Sequence, residues 1–216
     1  MRESIIKAVE NEKIVVIVRG VKREKLIPLA EAMYNGGIRL MELTYDLTGK
    51  IRDSETADRI AMLADHFAGR MMIGAGTVVN EEQVILTAKA GGGFIISPDT
   101  YRSVIEKTRE RSLVSRPGAL TPTEVQSAHR FGADFVKLFP VSNLGIEYVK
   151  AIKAPLSNIK LLAVGGITLD SMGDYLRAGI SGFGIGSNII DKVALEAGDF
   201  DKISDLARKY KEAVSI

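Results

Sequence analysis

Residues 134–139 read DFVKLF (Asp134-Phe135-Val136-Lys137-Leu138-Phe139), with Pro140 next. The stretch is short, apolar and bounded by turn residues, the pattern of a strand covered on both faces. One residue breaks it. Lys137 stands in the middle, and an ammonium group is costly to take out of water. Side chains alternate faces along a strand, so Phe135, Lys137 and Phe139 share one face, and Val136 and Leu138 share the other. The lysine points either into a closed sheet or out among helices, where its stem would snorkel along apolar surface.

Seven runs of the same kind accompany it: IVVIV (14–18), IRLMEL (38–43), MMIGA (71–75), GFIIS (93–97), SLVS (112–115), IKLLAV (159–164) and GFGIG (182–186). Between them apolar residues recur at helical spacing, over 22–35, 53–67, 81–90, 123–131 and 171–178. Asn80, Thr121 and Thr168 are placed to cap helices at their starts. Glycines at 36–37, 91–93, 132 and 179 are placed to end them. Strand then helix, eight times in 216 residues, predicts an α/β protein, a (β/α)8 TIM barrel in one domain over 1–216. A doubly wound open sheet is the structural alternative, but no dinucleotide glycine fingerprint follows the first strand. Residues 1–11 and 198–213 read as helices. One is expected to plug the closed end of the barrel and the other to be the eighth outer helix.

Composition narrows the function class. The chain is 46% apolar and 26% charged, as in a globular protein with a sizeable core. Its 29 basic and 27 acidic residues are mixed along the chain, which leaves no basic footprint for a nucleic acid. Cysteine is absent, so there is no disulfide framework, thiolate metal site or thiol nucleophile. MRESIIKAVENEK at the start does not read as a signal peptide, and IVVIV is far too short to cross a bilayer. A cytoplasmic location with no membrane partner is expected. His66 and His129 fall in outer helices, and no metal-ligand spacing is convincing.

In a (β/α)8 barrel, chemistry lies at the C-terminal ends of the strands. There Lys137, pointing inward near the rim, would be partly desolvated and freed as an amine nucleophile, the condition for a Schiff base with a ketone. The bland reading is a strand-end lysine with its head in water. Strand two ends in Glu42-Leu43-Thr44, with Glu42 and Thr44 on one face. A carboxylate inside the barrel is held for proton transfer, or pairs with Lys137. Arg19 ends strand one and could fork onto a carboxylate, or form a structural salt bridge. Strand three runs into GAGTV (74–78), where Thr77 offers a hydroxyl. Pro98 and Pro117-Gly118 shape the rim after strands four and five. Strand seven ends in Gly165-Gly166 and strand eight in Gly186-Ser187, both ahead of helical turns, where such barrels build a phosphate site from backbone N–H groups.

These motifs (VIVRG, GGIRLMELT, IGAGTV, FIISPD, RPGALTPTE, FVKLFP, VGGI and GIGS) occur in an order and spacing that resembles the 2-keto-3-deoxy-6-phosphogluconate (KDPG) and 4-hydroxy-2-oxoglutarate (KHG) aldolases and their phosphogalactonate relatives. The likeness runs from Ile14 to the final helix. It implies a class I pyruvate aldolase without cofactor or metal, a homotrimer acting on a small phosphorylated keto acid. By resemblance Lys137 is the Schiff-base lysine and Glu42 the general acid/base. Arg19 meets the substrate carboxylate, with Thr44, Thr77, Pro98 and Phe139 as further substrate-binding residues. Gly165, Gly166, Gly186 and Ser187 hold phosphate. The products would be pyruvate and glyceraldehyde 3-phosphate, or pyruvate and glyoxylate from 4-hydroxy-2-oxoglutarate.

The chain departs from the family pattern at three places. Tyr45-Asp46 stand where some members have Leu-Arg, and an inward Asp46 would repel an anionic substrate. Val164 precedes Gly165-Gly166 where phosphogluconate-type members often have Thr, as in the phosphogalactonate branch. Arg116 precedes Pro117-Gly118 where small or apolar residues are usual; with Lys50 and Arg52 it would favour a longer or more anionic substrate. The segment 48–54 reads as a solvated loop. Two other classes compete: a phosphate-binding barrel isomerase or epimerase without a covalent imine, and a binding or regulatory protein that keeps the barrel.

Overall fold

The computed structural model describes residues 2–215, and all the strands within them run parallel in a single sheet. They are β1 (Ile14–Val18), β2 (Leu40–Thr44), β3 (Met72–Gly76), β4 (Phe94–Ile96), β5 (Val114–Arg116), β6 (Gly118–Ala119), β7 (Val136–Leu138), β8 (Leu161–Val164) and β9 (Gly182–Ile185). The sheet order is β5-β4-β3-β2-β1-β9-β8-β7-β6, so its two end strands are consecutive in the chain and only Pro117 separates them. Phe135 N–H donates to Ser115 O (3.3 Å) and Lys137 N–H to Pro117 O (2.8 Å), which closes the sheet into a barrel. The expected fifth strand over 112–115 is thus two short strands further along. Proline has no N–H to give a ladder, so the strand breaks there. Ser112, in the left-handed region at φ 57°, delays its start.

The helices are α1 (Arg2–Glu12), α2 (Arg23–Asn35), α3 (Asp53–His66), α4 (Glu81–Lys89), α5 (Arg102–Glu110), α6 (Pro122–Phe131), α7 (Gly145–Lys153), α8 (Leu169–Arg177), α9 (Lys192–Ala197) and α10 (Phe200–Glu212). The expected caps form: the Asn80 side chain accepts from Gln83 N–H, and Thr121 and Thr168 each close a capping box. Gly132 takes the left-handed cap conformation, whereas Gly36 does not; it lies against Ala207, where a side chain would collide. α10 packs on α2 and α9 as the last outer helix. Of the expected helix over 1–11, Met1 lies outside the described residues, as does Ile216 at the other end of the expected domain.

α1 is the plug. Its Ile5 and Val9 join Val15, Leu40, Phe94, Ile96, Val114, Phe135 and Leu162 in a cluster separate from the larger core between barrel and helices. These strand residues are every second one, the faces that alternation predicts. The next inward position on each strand is the floor of the open end: Ile17, Glu42, Arg116, Lys137, Val164 and Gly184. Among the described residues no helix is long and apolar enough to cross a membrane.

Candidate active site

Glu42 and Lys137 point inward from β2 and β7 and border the same cavity. Both are given room by glycine. Glu42 pairs with Gly74 in the register, and a side chain at Gly76 would overlap its Oε1. Lys137 pairs with Gly118. Glu42 is 2% exposed, and its Oε2 has no hydrogen-bond partner. Burial pushes its carboxyl up to about 7, against the opposing pull of Lys137, then Arg116 and Arg19. Burial pushes the Lys137 ammonium below its ordinary value; Glu42 opposes that shift and Arg19 adds to it. The Lys137 Nζ lies 4.6 Å from the centre of the Phe139 ring, which roofs it. One site therefore holds a lysine whose burial favours the free amine and a carboxyl that gains and loses its proton near neutral pH. That is the equipment for imine formation with proton shuttling.

The cavity above them has a volume of about 280 Å³. Arg19, Thr77, Phe139, Gly165, Gly166, Gly186 and Ser187 all line it, so the structure gathers these sequence-predicted residues around the Lys137–Glu42 pair. Arg19 Nη2 donates to Thr77 Oγ1 at 2.8 Å, fixing both at the rim. Thr77 sits at φ 58°, a conformation costly for a β-branched residue, and such strain is typical of working sites. Gly165 and Gly166 follow β8 at φ 94° and 73°, which a side chain would resist. A side chain at Gly166 would also strike Ser142. After β9, the N–H groups of Ile189 and Ile190 both donate to Gly186 O (3.1 Å each), winding a single helical turn over Ser187. Asn188 Nδ2 donates to Ile167 O (2.7 Å) and ties the two glycine loops together. Sequence reading did not single out Asn188; its place directly after Gly186-Ser187 was the available signal.

Two expected residues lie off this cavity. Thr44 turns its methyl toward Gly76 and lines a neighbouring cavity of about 300 Å³ with Arg19, Lys50 and Arg59. Pro98 is exposed on the rim, and its carbonyl lies against Gly118.

The family model for the KDPG and KHG aldolases matches residues 5–206. The chain belongs to this aldolase family. An Escherichia coli (strain K12) KHG/KDPG aldolase is 32% identical, over 90% of this chain and 89% of its own. A 2-dehydro-3-deoxy-6-phosphogalactonate aldolase from the same organism is 30% identical, over 93% and 96%. A Legionella pneumophila KDPG aldolase, solved with pyruvate captured at low pH as a covalent carbinolamine intermediate, is 26% identical; it superposes with a TM-score of 0.83 over 96% of this chain and 97% of that one.

Against this aldolase background the departures have physical explanations. Tyr45 points away from the barrel and is fully buried; its hydroxyl meets Gln83 O (3.1 Å) and Thr87 Oγ1 (3.0 Å) under α4. Asp46 does not confront the cavity with a free charge. Its carboxylate accepts from Thr48 N–H (2.9 Å), Thr48 Oγ1–H (2.7 Å) and Ile51 N–H (3.0 Å), folding the 46–51 loop and holding its pKa below the usual carboxylate range. Arg116 corrects the expectation that grouped it with Lys50 and Arg52. It alternates inward with Val114 on β5 and is fully buried below Glu42 and Lys137. Arg52 instead pairs with Glu55 at 2.8 Å at the start of α3. His66 meets Glu31 in an outer-helix contact (2.6 Å), and His129 is exposed in the last turn of α6.

Proposed function

We propose that the protein is a class I aldolase that cleaves a 2-keto-3-deoxy-6-phospho sugar acid to pyruvate and glyceraldehyde 3-phosphate, and 4-hydroxy-2-oxoglutarate to pyruvate and glyoxylate. One observation carries this reading: a burial-shifted Lys137 shares a cavity with a buried Glu42. An isomerase or epimerase working without an imine has no need of that lysine, and a binding protein needs neither.

The Lys137 amine attacks the C2 carbonyl and forms a carbinolamine. Glu42 protonates the departing hydroxyl through water, leaving a protonated imine. Glu42, now a carboxylate, takes the C4 hydroxyl proton as the C3–C4 bond breaks, and the bond's electrons flow into the imine to give an enamine. The aldehyde leaves. Protonation at C3 and hydrolysis release pyruvate and restore the amine. Arg19 and Thr77, with Phe139, hold the carboxylate end. Gly165, Gly166, Gly186 and Ser187 hold the phosphate through backbone N–H groups and one hydroxyl. Thr44 and Pro98 bound the entrance from the adjoining rim.

Val164 supports a second reading, the phosphogalactonate branch, because it borders the cavity where phosphogluconate-type members often place a hydroxyl. The two substrates are C4 epimers, so cleavage rates on the pair decide between them. A homotrimer and a cytoplasmic location belong to the same proposal, supported by the family resemblance. Light scattering that gives three times the chain mass supports the trimer, and a monomer overturns it.

The deciding experiment is incubation with pyruvate and borohydride followed by peptide mapping. One reduced pyruvate on Lys137, lost in Lys137→Ala, is expected. No adduct on the folded protein overturns the aldolase reading.

A further inference from the structure

Arg116 is the most unusual buried group in the protein. It is 0% exposed, and its Nε, Nη1 and Nη2 have no hydrogen-bond partner. Its guanidinium carbon lies over the Phe94 ring, 4.0 Å from the centre, and 5.9 Å from the centre of the Phe135 ring, so aromatic faces border the charge. The charges acting on it are Glu42 from β2 and Asp134 ahead of β7. Asp134 is engaged elsewhere, accepting from Ser115 N–H (2.9 Å) and from Arg2. Glu42 in turn is faced by Lys137, Arg116 and Arg19. Between Arg116, Glu42 and Lys137 lies a space of about 10 Å³. That is close to the room one water needs, and the bordering Arg116 nitrogens and Glu42 Oε2 supply its partners.

Chemistry gives this arrangement a purpose. As a nucleophile Lys137 must be the neutral amine, and in the enamine its nitrogen is again uncharged. Glu42 must release its proton to the carbinolamine hydroxyl before the imine charge has formed beside it, in an interior that disfavours carboxylate. A guanidinium keeps its charge throughout. We propose that Arg116 is a positioning residue for Glu42: its buried guanidinium, joined to the Glu42 carboxyl through one bridging water, supplies a fixed positive charge that lets that carboxyl give up its proton to the departing hydroxyl. This rests on the reading of Glu42 as the acid/base.

The test is direct titration of Glu42 by its side-chain ¹³C carboxyl resonance, assigned by its loss in Glu42→Gln. In Arg116→Met the Glu42 midpoint rises by about one pH unit, a tenfold change in proton affinity. Arg116→Lys restores most of the shift. The limb of the kcat/KM pH profile set by Glu42 moves with it, while KM for substrate holds. An unmoved Glu42 midpoint in folded Arg116→Met overturns the proposal. Should that variant not fold, the wild-type protein still decides. The Arg116 Nε–H resonance must titrate with the Glu42 midpoint and lose that step in Glu42→Gln; a flat response overturns the bridge. Pyruvate trapping on Lys137, run in parallel, separates failure of this inference from failure of the aldolase reading.

Discussion

Glu42 sits where its own ionisation works against the fold. Its pKa rises from an ordinary 4.5 to about 7 because burial disfavours the charge more than Lys137, Arg116 and Arg19 favour it. The sign follows from linkage: a carboxyl raised in the folded state costs nothing below its unfolded pKa. Its penalty grows between pH 4.5 and 7 and is constant above. Glu42→Gln removes the ionisation while keeping the shape. The variant is therefore expected to match the wild type in stability near pH 4, and to exceed it by about 3 kcal/mol at pH 8, while losing cleavage activity. Urea unfolding across that pH range checks it. A stability gap that is independent of pH would mean that folding does not raise the Glu42 pKa. The same residue shows what the sequence made readable. Alternation along LMELT set Glu42 and Thr44 on one face, and alternation along FVKLF set Lys137 with Phe135 and Phe139; which face turns inward was left to the chemistry those residues could do. The strand read as SLVS stopped at Ser115, so Arg116 was grouped with Lys50 and Arg52 as a charge favouring the substrate rather than placed on the floor beneath Glu42 and Lys137.

At the scale of elements, β3 shows how glycine divides its work between stability and site. Gly74 faces Phe94, and a side chain there would overlap the ring; at Gly76 a side chain would overlap the Glu42 carboxylate. Gly74→Ala is expected to lose roughly 1–3 kcal/mol of stability by overpacking the barrel interior. Gly76→Ala should lose less stability and far more activity, because the flexible carboxylate moves rather than the core. Denaturation midpoints against turnover, measured for both variants, test that division, and equal activity losses would overturn it. The glycines were legible as sites of close approach, though their neighbours are this chain's own side chains rather than a ligand. Other elements were less legible. α5, RSVIEKTRE, carries so much charge that only Val104, Ile105 and Thr108 mark its buried face. α7 starts at Gly145 with no capping side chain. The fifth strand was found, and Pro117 breaks it for want of an N–H, but which neighbours the carbonyls on either side serve was not legible. Arg116 O accepts from Ser97 N–H on one side and Pro117 O from Lys137 N–H on the other, a tertiary fact that no local pattern contains.

For the molecule as a whole, the barrel has one end built for chemistry and one sealed by α1. Ile5 is 3% exposed, and its Cδ1 fills the space that a side chain at Gly93 would take. It packs in the cluster that contains Phe94, and the Arg116 guanidinium in turn lies over the Phe94 ring beneath Glu42. Phe94 and Arg116 thus lie where the cluster that holds the plug meets the site. Truncating the plug by Ile5→Ala opens a cavity at the floor and is expected to cost about 2–4 kcal/mol. Interiors pack tightly and side chains hold fixed rotamers, so the loss should stay local as long as the protein is folded. The rate of pyruvate trapping on Lys137, measured well below the variant's melting transition, should then equal that of the wild type. A trapping rate that falls while the far-UV signal stays native would mean that the Phe94 ring transmits the cavity to Arg116, making the barrel interior one mechanical unit from plug to lysine.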